Sequence, residues 1–307
     1  MMTYRLLLMI FCLLQSPVQA QPLVFTGEAT IKYESLQYKT PGLTDQEFVE
    51  KTILLNATTP LSAQTSLFLR MGHQSYSDNS IHAKTALDQY GVTWKDSHRT
   101  IVIGSQDTYF GACGALFDNS SNVGDGLLRG FDMRGTNGHN AYHLTTGRLD
   151  PTLFTDDRAH LLSGTEWAHY FGTTRLLVSY LHIANLPQKT DDFAGLSLNA
   201  PLGKGEFIAE MVHSSASLSN QALLVGATYQ PTKQQAIRLI AGQLLDNAVP
   251  AGKASLGGYD NGIRGFQCNV MQALGTSQRL TVKYSHAETI TSNIPIRKME
   301  LEYTHLF

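Results

Sequence analysis

The feature that most restricts this chain is an alternation of apolar and polar residues that returns in stretch after stretch of about ten residues. The last of these reaches the final residue: Met299, Leu301, Tyr303 and Phe307 share one parity, Glu300, Glu302 and Thr304 take the other, and His305 interrupts the apolar set. Near the start, Ala29, Ile31 and Tyr33 alternate with Glu28, Thr30, Lys32 and Glu34. Leu67, Leu69 and Met71 alternate with Ser66, Phe68 and Arg70; Phe207, Ala209 and Met211 with Glu206, Ile208 and Glu210; Leu280, Val282 and Tyr284 with Thr281, Lys283 and Ser285. Successive side chains of a strand point to opposite faces, so each stretch reads as a strand with one apolar and one polar side.

Alternation alone also fits a soluble sandwich with one wet face. The stretches are too numerous for the seven to nine strands of that architecture. Their connections are short and long by turns, and the pattern leaves no tail beyond the last stretch. A closed barrel accommodates all three features, because inside a bilayer the backbone must satisfy its own hydrogen bonds and a barrel has no edge. The expectation is an all-β, transmembrane antiparallel β-barrel.

The first twenty residues read differently. Arg5 gives a basic start, Leu6 to Leu14 form an apolar run of nine, and Val18 and Ala20 supply small residues, the layout of a secretory signal peptide. Nine residues are too few for a permanent span, which needs roughly 20. The expected organisation is a signal peptide at 1–20 and a single outer-membrane barrel at 21–307, located in the cell outer membrane. With 23 basic against 25 acidic side chains, no basic excess exists to neutralise phosphates, and a nucleic-acid partner is excluded. Only Cys113 and Cys268 follow the leader, too few for a disulfide framework.

Strands are expected near 23–36, 46–59, 63–75, 87–96, 99–109, 127–135, 140–149, 160–170, 173–184, 191–200, 204–214, 219–230, 234–245, 262–273, 278–288 and 296–307. That makes 16 strands, an even number as expected of a bacterial single-chain barrel with short periplasmic turns and longer external loops. Tight links such as Thr136-Asn-Gly-His139 and Gly172-Thr173 interleave strictly with longer ones such as 110–126 and 246–261. Omitting 127–135 breaks that order, so the strand is required. A barrel of this size is wide enough for an aqueous channel.

Residues opposite the lipid-facing set are expected to line the lumen. They are Glu28, Lys32, Glu34, Arg70, Lys95, Glu206, Glu210, Arg238, Lys283, Glu300 and Glu302. Charges of both signs imply modest ion selectivity rather than a strict filter. The 110–126 link contains Ala112, Ala115, Leu116, Phe117 and Val123, apolar residues that an exposed loop does not need. It is expected to fold inward as the third external loop and to constrict the pore. Asp118 and Asp125, with the nearby Asp107, Arg129, Asp132 and Arg134, would then set a local field; an external cap or a subunit contact is the alternative.

This layout resembles the general porins, whose third external loop folds into a sixteen-stranded barrel and whose chains end in Phe. The stretch Ile103-Gly-Ser-Gln-Asp107, with Phe110-Gly111, Gly114 and Leu116-Phe-Asp118, is also similar to porins of diderm Firmicutes. Those have Gly-Arg-Gln at the strand end; Ser105 stands here in place of the Arg, which is expected to remove a lumen charge. They also carry an N-terminal cell-wall-binding domain and a coiled coil, whereas the first strand here is expected within a few residues of Gln21. The resemblance implies a homotrimer among outer-membrane lipids and lipopolysaccharide. It also implies assembly by the barrel-assembly machinery through the C-terminal strand ending in Phe307, and passage of small hydrophilic solutes.

No enzyme motif competes: HExxH, a G-x-S-x-G elbow and a phosphate-binding loop with Lys are all absent. His139 and His143 lie on one strand face but about 13 Å apart, too far for a ligand pair. No cofactor and no metal are expected. Trp94 and Trp167, with Tyr33, Tyr90, Tyr142, Tyr170, Tyr180 and Tyr303, fit interfacial girdles, the alternative being a sugar slide inside the channel. The expected function is passive diffusion of small hydrophilic solutes and ions. The alternatives are a channel selective for sugars or organic acids, or a barrel serving as a surface enzyme or adhesin.

Overall fold

The computed structural model describes residues 22–38, 42–78, 80–112, 116–118, 123–124, 127–149, 160–186, 190–250 and 261–307. The expected leader at 1–20, Cys113 and Asp125 lie outside these residues. Among the described residues no helix is long and apolar enough to cross a membrane. The strands are β1 (Val24–Tyr38), β2 (Gln46–Pro60), β3 (Thr65–Tyr76), β4 (Lys84–Lys95), β5 (Arg99–Gln106), β6 (Tyr109–Phe110), β7 (Phe117–Asp118), β8 (Leu128–Asn137) and β9 (Asn140–Leu149). They continue with β10 (His160–Phe171), β11 (Thr174–Ile183), β12 (Asp192–Leu202), β13 (Gly205–Ser214), β14 (Gln221–Thr232), β15 (Gln235–Leu244), β16 (Ile263–Ala273), β17 (Gln278–Thr289) and β18 (Pro295–Leu306).

Sixteen of them close into one barrel in which wall neighbours follow chain order, with β5 pairing with β8 and β1 with β18. The two short strands β6 and β7 pair only with each other. Each expected wall strand is present, including the one demanded at 127–135. One boundary moves for a physical reason: the strand expected to reach residue 109 ends at Gln106. Tyr109 and Phe110 leave the wall and pair with Asp118 and Phe117.

The outer face is apolar. Ile31, Ile53, Leu55, Leu69, Met71, Ile103, Leu144, Val178, Leu196, Met211, Leu223, Leu239, Met299 and Leu301 all stand exposed there. Such a surface is unfavourable in water and costs nothing in hydrocarbon, while the closed order gives every wall strand two neighbours and leaves no free sheet edge. The opposite parity carries the polar set, as a strand requires. At the seam, Gly27 N donates to Phe307 O at 2.7 Å and Phe307 N to Gly27 O at 3.0 Å. The Phe307 ring occupies the space a Cβ on Gly27 would take.

Two local departures from regular pleating shape the interior. Arg70 pairs with Gln89 and Met71 with Leu87, leaving Asp88 as the extra residue of a β-bulge. Leu87 and Tyr90 are exposed outside, so both Asp88 and Gln89 turn inward. The second departure is a row of glycines, Gly91, Gly104, Gly130 and Gly147, directly paired across β4, β5, β8 and β9. A Cβ on any of them would strike a carbonyl oxygen of the adjacent strand, so the sheet creases along this row.

Part of the interior is an apolar core. Inward side chains such as Leu181, Val212, Leu224, Ile240 and Ile263 pack with Leu116 and Phe117, both fully buried. Phe110 belongs to the same cluster.

Candidate functional site

One register row across the inner wall organises the site. Lys95 pairs with Thr100, Thr100 with Arg134, Arg134 with His143, His143 with Glu166 and Glu166 with Ser179. These six side chains therefore form one continuous inward row across β4, β5, β8, β9, β10 and β11. His143 Nε2 lies 2.6 Å from Asp132 Oδ2 and its Nδ1 3.5 Å from Glu166 Oε1. Arg134 Nε lies 3.1 Å from Asp132 Oδ1.

The described residues that follow β5 lie against this row. Thr108 donates to Asp132 at 3.3 Å. Arg134 stacks over the Tyr109 ring, 4.7 Å from its centroid. The Phe110 and His143 rings stack at 4.8 Å, and Phe110 fills the space beside Gly164 that a Cβ would occupy. Gly111 N donates to Glu166 Oε2 at 2.7 Å, and Ala112 N to Ser197 Oγ at 3.4 Å. On the return, Val123 sits against Gly72, and Gly124 N donates to Asp88 Oδ1 at 2.6 Å. Every one of these wall partners is on the inward parity. Burying Phe110, Leu116 and Phe117 is worth about 1.5–3 kcal/mol each, which opposes part of the entropy cost of ordering these residues.

Beside the return, Arg70 pairs with Asp88 and lies 3.5 Å from Asp107, while Gln89 Nε2 donates to Asp107 at 2.5 Å. Across the lumen, β17, β18, β1 and β2 carry a ladder of alternating charge. Lys32 bridges Glu34 at 3.6 Å and Glu50 at 2.6 Å. Lys298 bridges Glu34 at 3.1 Å and Glu300 at 2.8 Å. Lys283 contacts Glu300 at 3.0 Å and Glu302 at 3.9 Å. Glu34 and Glu300 are direct cross-strand partners, a repulsive pairing that the interleaved lysines offset.

The residues expected from sequence divide as follows. Glu28, Lys32, Glu34, Arg70, Lys95, Asp132, Arg134, Glu206, Glu210, Arg238, Lys283, Glu300 and Glu302 lie on the inward parity. Asp107 and Asp118 belong to the segment between β5 and β8. Arg129 does not join them. It shares the parity of Phe131 and Met133, whose partners Ile103 and Leu144 are exposed outside, so it projects from the outer face. Nearness in sequence to Asp132 concealed a difference of one pleat. Ser105 is likewise on the outward parity, paired with Tyr90 and Arg129, and its hydroxyl donates to Asp88 O at 3.4 Å. An inward charge is therefore not what this position exchanges.

Glu166, Asp88, Glu50, Lys298 and Arg175 also face inward and escaped the sequence reading. Glu166 had a usable signal, since it precedes the exposed, outward Trp167. Asp88 had none, because the bulge breaks the parity. Trp167, His169 and Phe171 form an aromatic cluster on the outer face near the tight 172–173 link, the first pair stacked and the second edge to face. Among the described residues Cys268 has no disulfide partner. At the tight link between β4 and β5, the His98 N–H donates to Asp96 at 2.7 Å and holds its carboxyl below the ordinary range.

No protein-family model matches this sequence, and no curated protein does. Solved structures do match it. A mutant Rhodopseudomonas blastica porin aligns over 92% of this chain and 100% of its own at 11% identity, with a TM-score of 0.61. The OmpF of Salmonella typhi, solved in complex with daunomycin, aligns over 94% of this chain and 98% of its own at 12% identity, with a TM-score of 0.62. The fold of this chain is that of the sixteen-stranded bacterial porins.

Proposed function

We propose that this protein is a passive diffusion porin for small hydrophilic solutes and ions in the bacterial outer membrane. The observation that carries the reading is the distribution of side chains on the closed barrel: apolar outside, and inside a charged surface against which the chain between β5 and β8 is seated. A barrel of sixteen strands encloses more space than its own side chains fill. The segment lies against the wall from β3 to β13, which leaves the passage between it and the charged ladder of β17 to β2. It serves as the constriction, and the inward charges named above line the path.

In this reading residues 1–20 direct export and are removed, the tight links face the periplasm, and the long links face outward. The strand ending in Phe307 is what the assembly machinery engages, and three copies assemble among outer-membrane lipids and lipopolysaccharide. The stretch Ile103-Gly-Ser-Gln-Asp107, with Phe110-Gly111, Gly114 and Leu116-Phe-Asp118, supports kinship with the porins of diderm Firmicutes, and Ser105 is the departure from their Gly-Arg-Gln.

Planar-bilayer recording of the purified protein in KCl tests the reading. The expected result is a stable, ohmic conductance with a small reversal potential under a tenfold gradient. A folded barrel that passes no current sinks it.

A further inference from the structure

Between the seated segment and the tight-link edge lies a cavity of about 530 Å³, bounded by Tyr109, Gly111 and Ala112 on one side and by the wall from β4 to β11 on the other. Its charged lining is Lys95, Asp96, Arg99, Arg134, Glu166 and Arg175, four cations against two carboxylates. Both carboxylates are already engaged. Glu166 accepts from Gly111 N and from Ser179 Oγ, each at 2.7 Å, and lies beside His143. Asp96 accepts from His98 N and Arg99 N at 2.7 Å, and Arg99 NH2 lies 2.9 Å from it.

The cations are engaged unequally. Arg134 is fixed between Asp132 and the Tyr109 ring. Among the described residues neither Lys95 nor Arg175 has an ion-pair partner, and Arg175 Nε is buried without a hydrogen-bond acceptor. Arg175 lines the cavity as a half-buried guanidinium with no carboxylate paired to it among the described residues, and an oxyanion entering the cavity supplies the missing counter-charge. Guanidinium groups present planar paired donors that match a carboxylate, and the volume suits a small organic molecule.

We propose that this cavity is a binding site for small organic acids carrying two carboxylates, held by Arg175, Arg134 and Lys95 beneath the constriction. The proposal rests on the channel reading for its role in transport, since a site beside the tight-link edge acts on passing solute only if solute traverses the lumen. It makes the protein a channel that concentrates organic anions at one point of an otherwise unselective path.

The probe is succinate, with uncharged succinamide as its counterpart. Isothermal titration of the folded, detergent-solubilised barrel is expected to show saturable succinate binding in the millimolar range and none for succinamide. Arg175→Gln should weaken it at least tenfold, Lys95→Gln severalfold, and Arg264→Gln, altered on the outer face, not at all. Succinate added to a bilayer channel should reduce KCl current with the same half-saturation. Equal affinity for succinamide, or unchanged affinity in both Arg175→Gln and Lys95→Gln, overturns the site. Loss of KCl current with succinate binding intact overturns the channel reading and leaves the site standing.

Discussion

The main-chain N–H of Gly111 donates to the carboxylate of Glu166 at 2.7 Å, joining residues 55 apart in sequence and fixing the inner segment to the wall. At its other end the N–H of Gly124 donates to Asp88 at 2.6 Å. Two wall carboxylates thus each accept a main-chain N–H from the segment between β5 and β8. Glu166→Gln keeps an acceptor but loses the charge, and Glu166→Leu loses both. A hydrogen bond to a charged group is worth about 1.5–3 kcal/mol. The expected outcome is increased open-channel current noise in the first variant, and in the second a higher conductance as well. Single-channel recording checks both.

Asp88→Asn acts at the opposite end and also releases Arg70. If the two carboxylates hold one element, the double variant Asp88→Asn with Glu166→Gln will differ from the sum of the single changes by more than about 0.5 kcal/mol in urea unfolding. Additive effects would mean that the ends are held independently.

Phe110 and Gly164 form a ring-in-slot contact. Phe110→Ala is expected to cost about 3–5 kcal/mol, the range for a buried aromatic truncation. Gly164→Leu fills the slot and displaces the ring, so its conductance should rise while the wall strands stay intact by far-ultraviolet circular dichroism. An unchanged conductance in both variants would show that the ring does not position the segment.

Arg129 and Arg134 provide a paired test of parity. Arg134→Gln removes an inward charge beside Asp132 and should shift the KCl reversal potential toward the cation. Arg129→Gln removes an outward one and should leave the potential where it was. On the facing wall, Glu300→Gln leaves Lys283 and Lys298 with one fewer carboxylate and should shift the potential toward chloride.

The tight link at Asp96 carries a pH dependence of definite sign. Its carboxyl is held below the ordinary value of 3.8 by the His98 N–H, with Arg99 adding to the effect. A depressed carboxyl contributes stability that is present above the unfolded value and is lost as pH falls through the folded one. Between pH 5 and pH 8 the link should therefore be insensitive to pH and should loosen below about 3.8. Hydrogen exchange at His98 and Arg99 measures this, and Asp96→Asn should abolish the change.

The wall was legible in the sequence because a bilayer-facing strand cannot conceal its parity: one slip puts Lys32 or Glu300 into hydrocarbon. The same logic recovered β8, whose local pattern is weak, through the order of short and long links. It failed where the pleat itself is broken or where the chain leaves the wall. Asp88 is invisible to a period-two reading because the bulge gives it the same side as Gln89. Tyr109 and Phe110 continue the alternation of β5, and only tertiary packing on His143 and Gly164 turns them inward. Arg129 was grouped with Asp132 by proximity, although parity alone would have separated them.

The seam described above has a kinetic consequence. Fifteen of the sixteen wall pairings join strands that follow one another in the wall's chain order, so each closes a loop of tens of residues at most. The pairing of β1 with β18 matches Glu28 with Leu306 and Tyr38 with Ile296, which means closing nearly the whole chain upon itself. The loop-closure penalty grows with length, and contacts so distant in sequence form late. The wall therefore grows as an open ribbon with two raw edges, and the Gly27–Phe307 hydrogen bonds mark the moment at which those edges vanish. Until then the ribbon is open to foreign strands; afterwards it has none to offer.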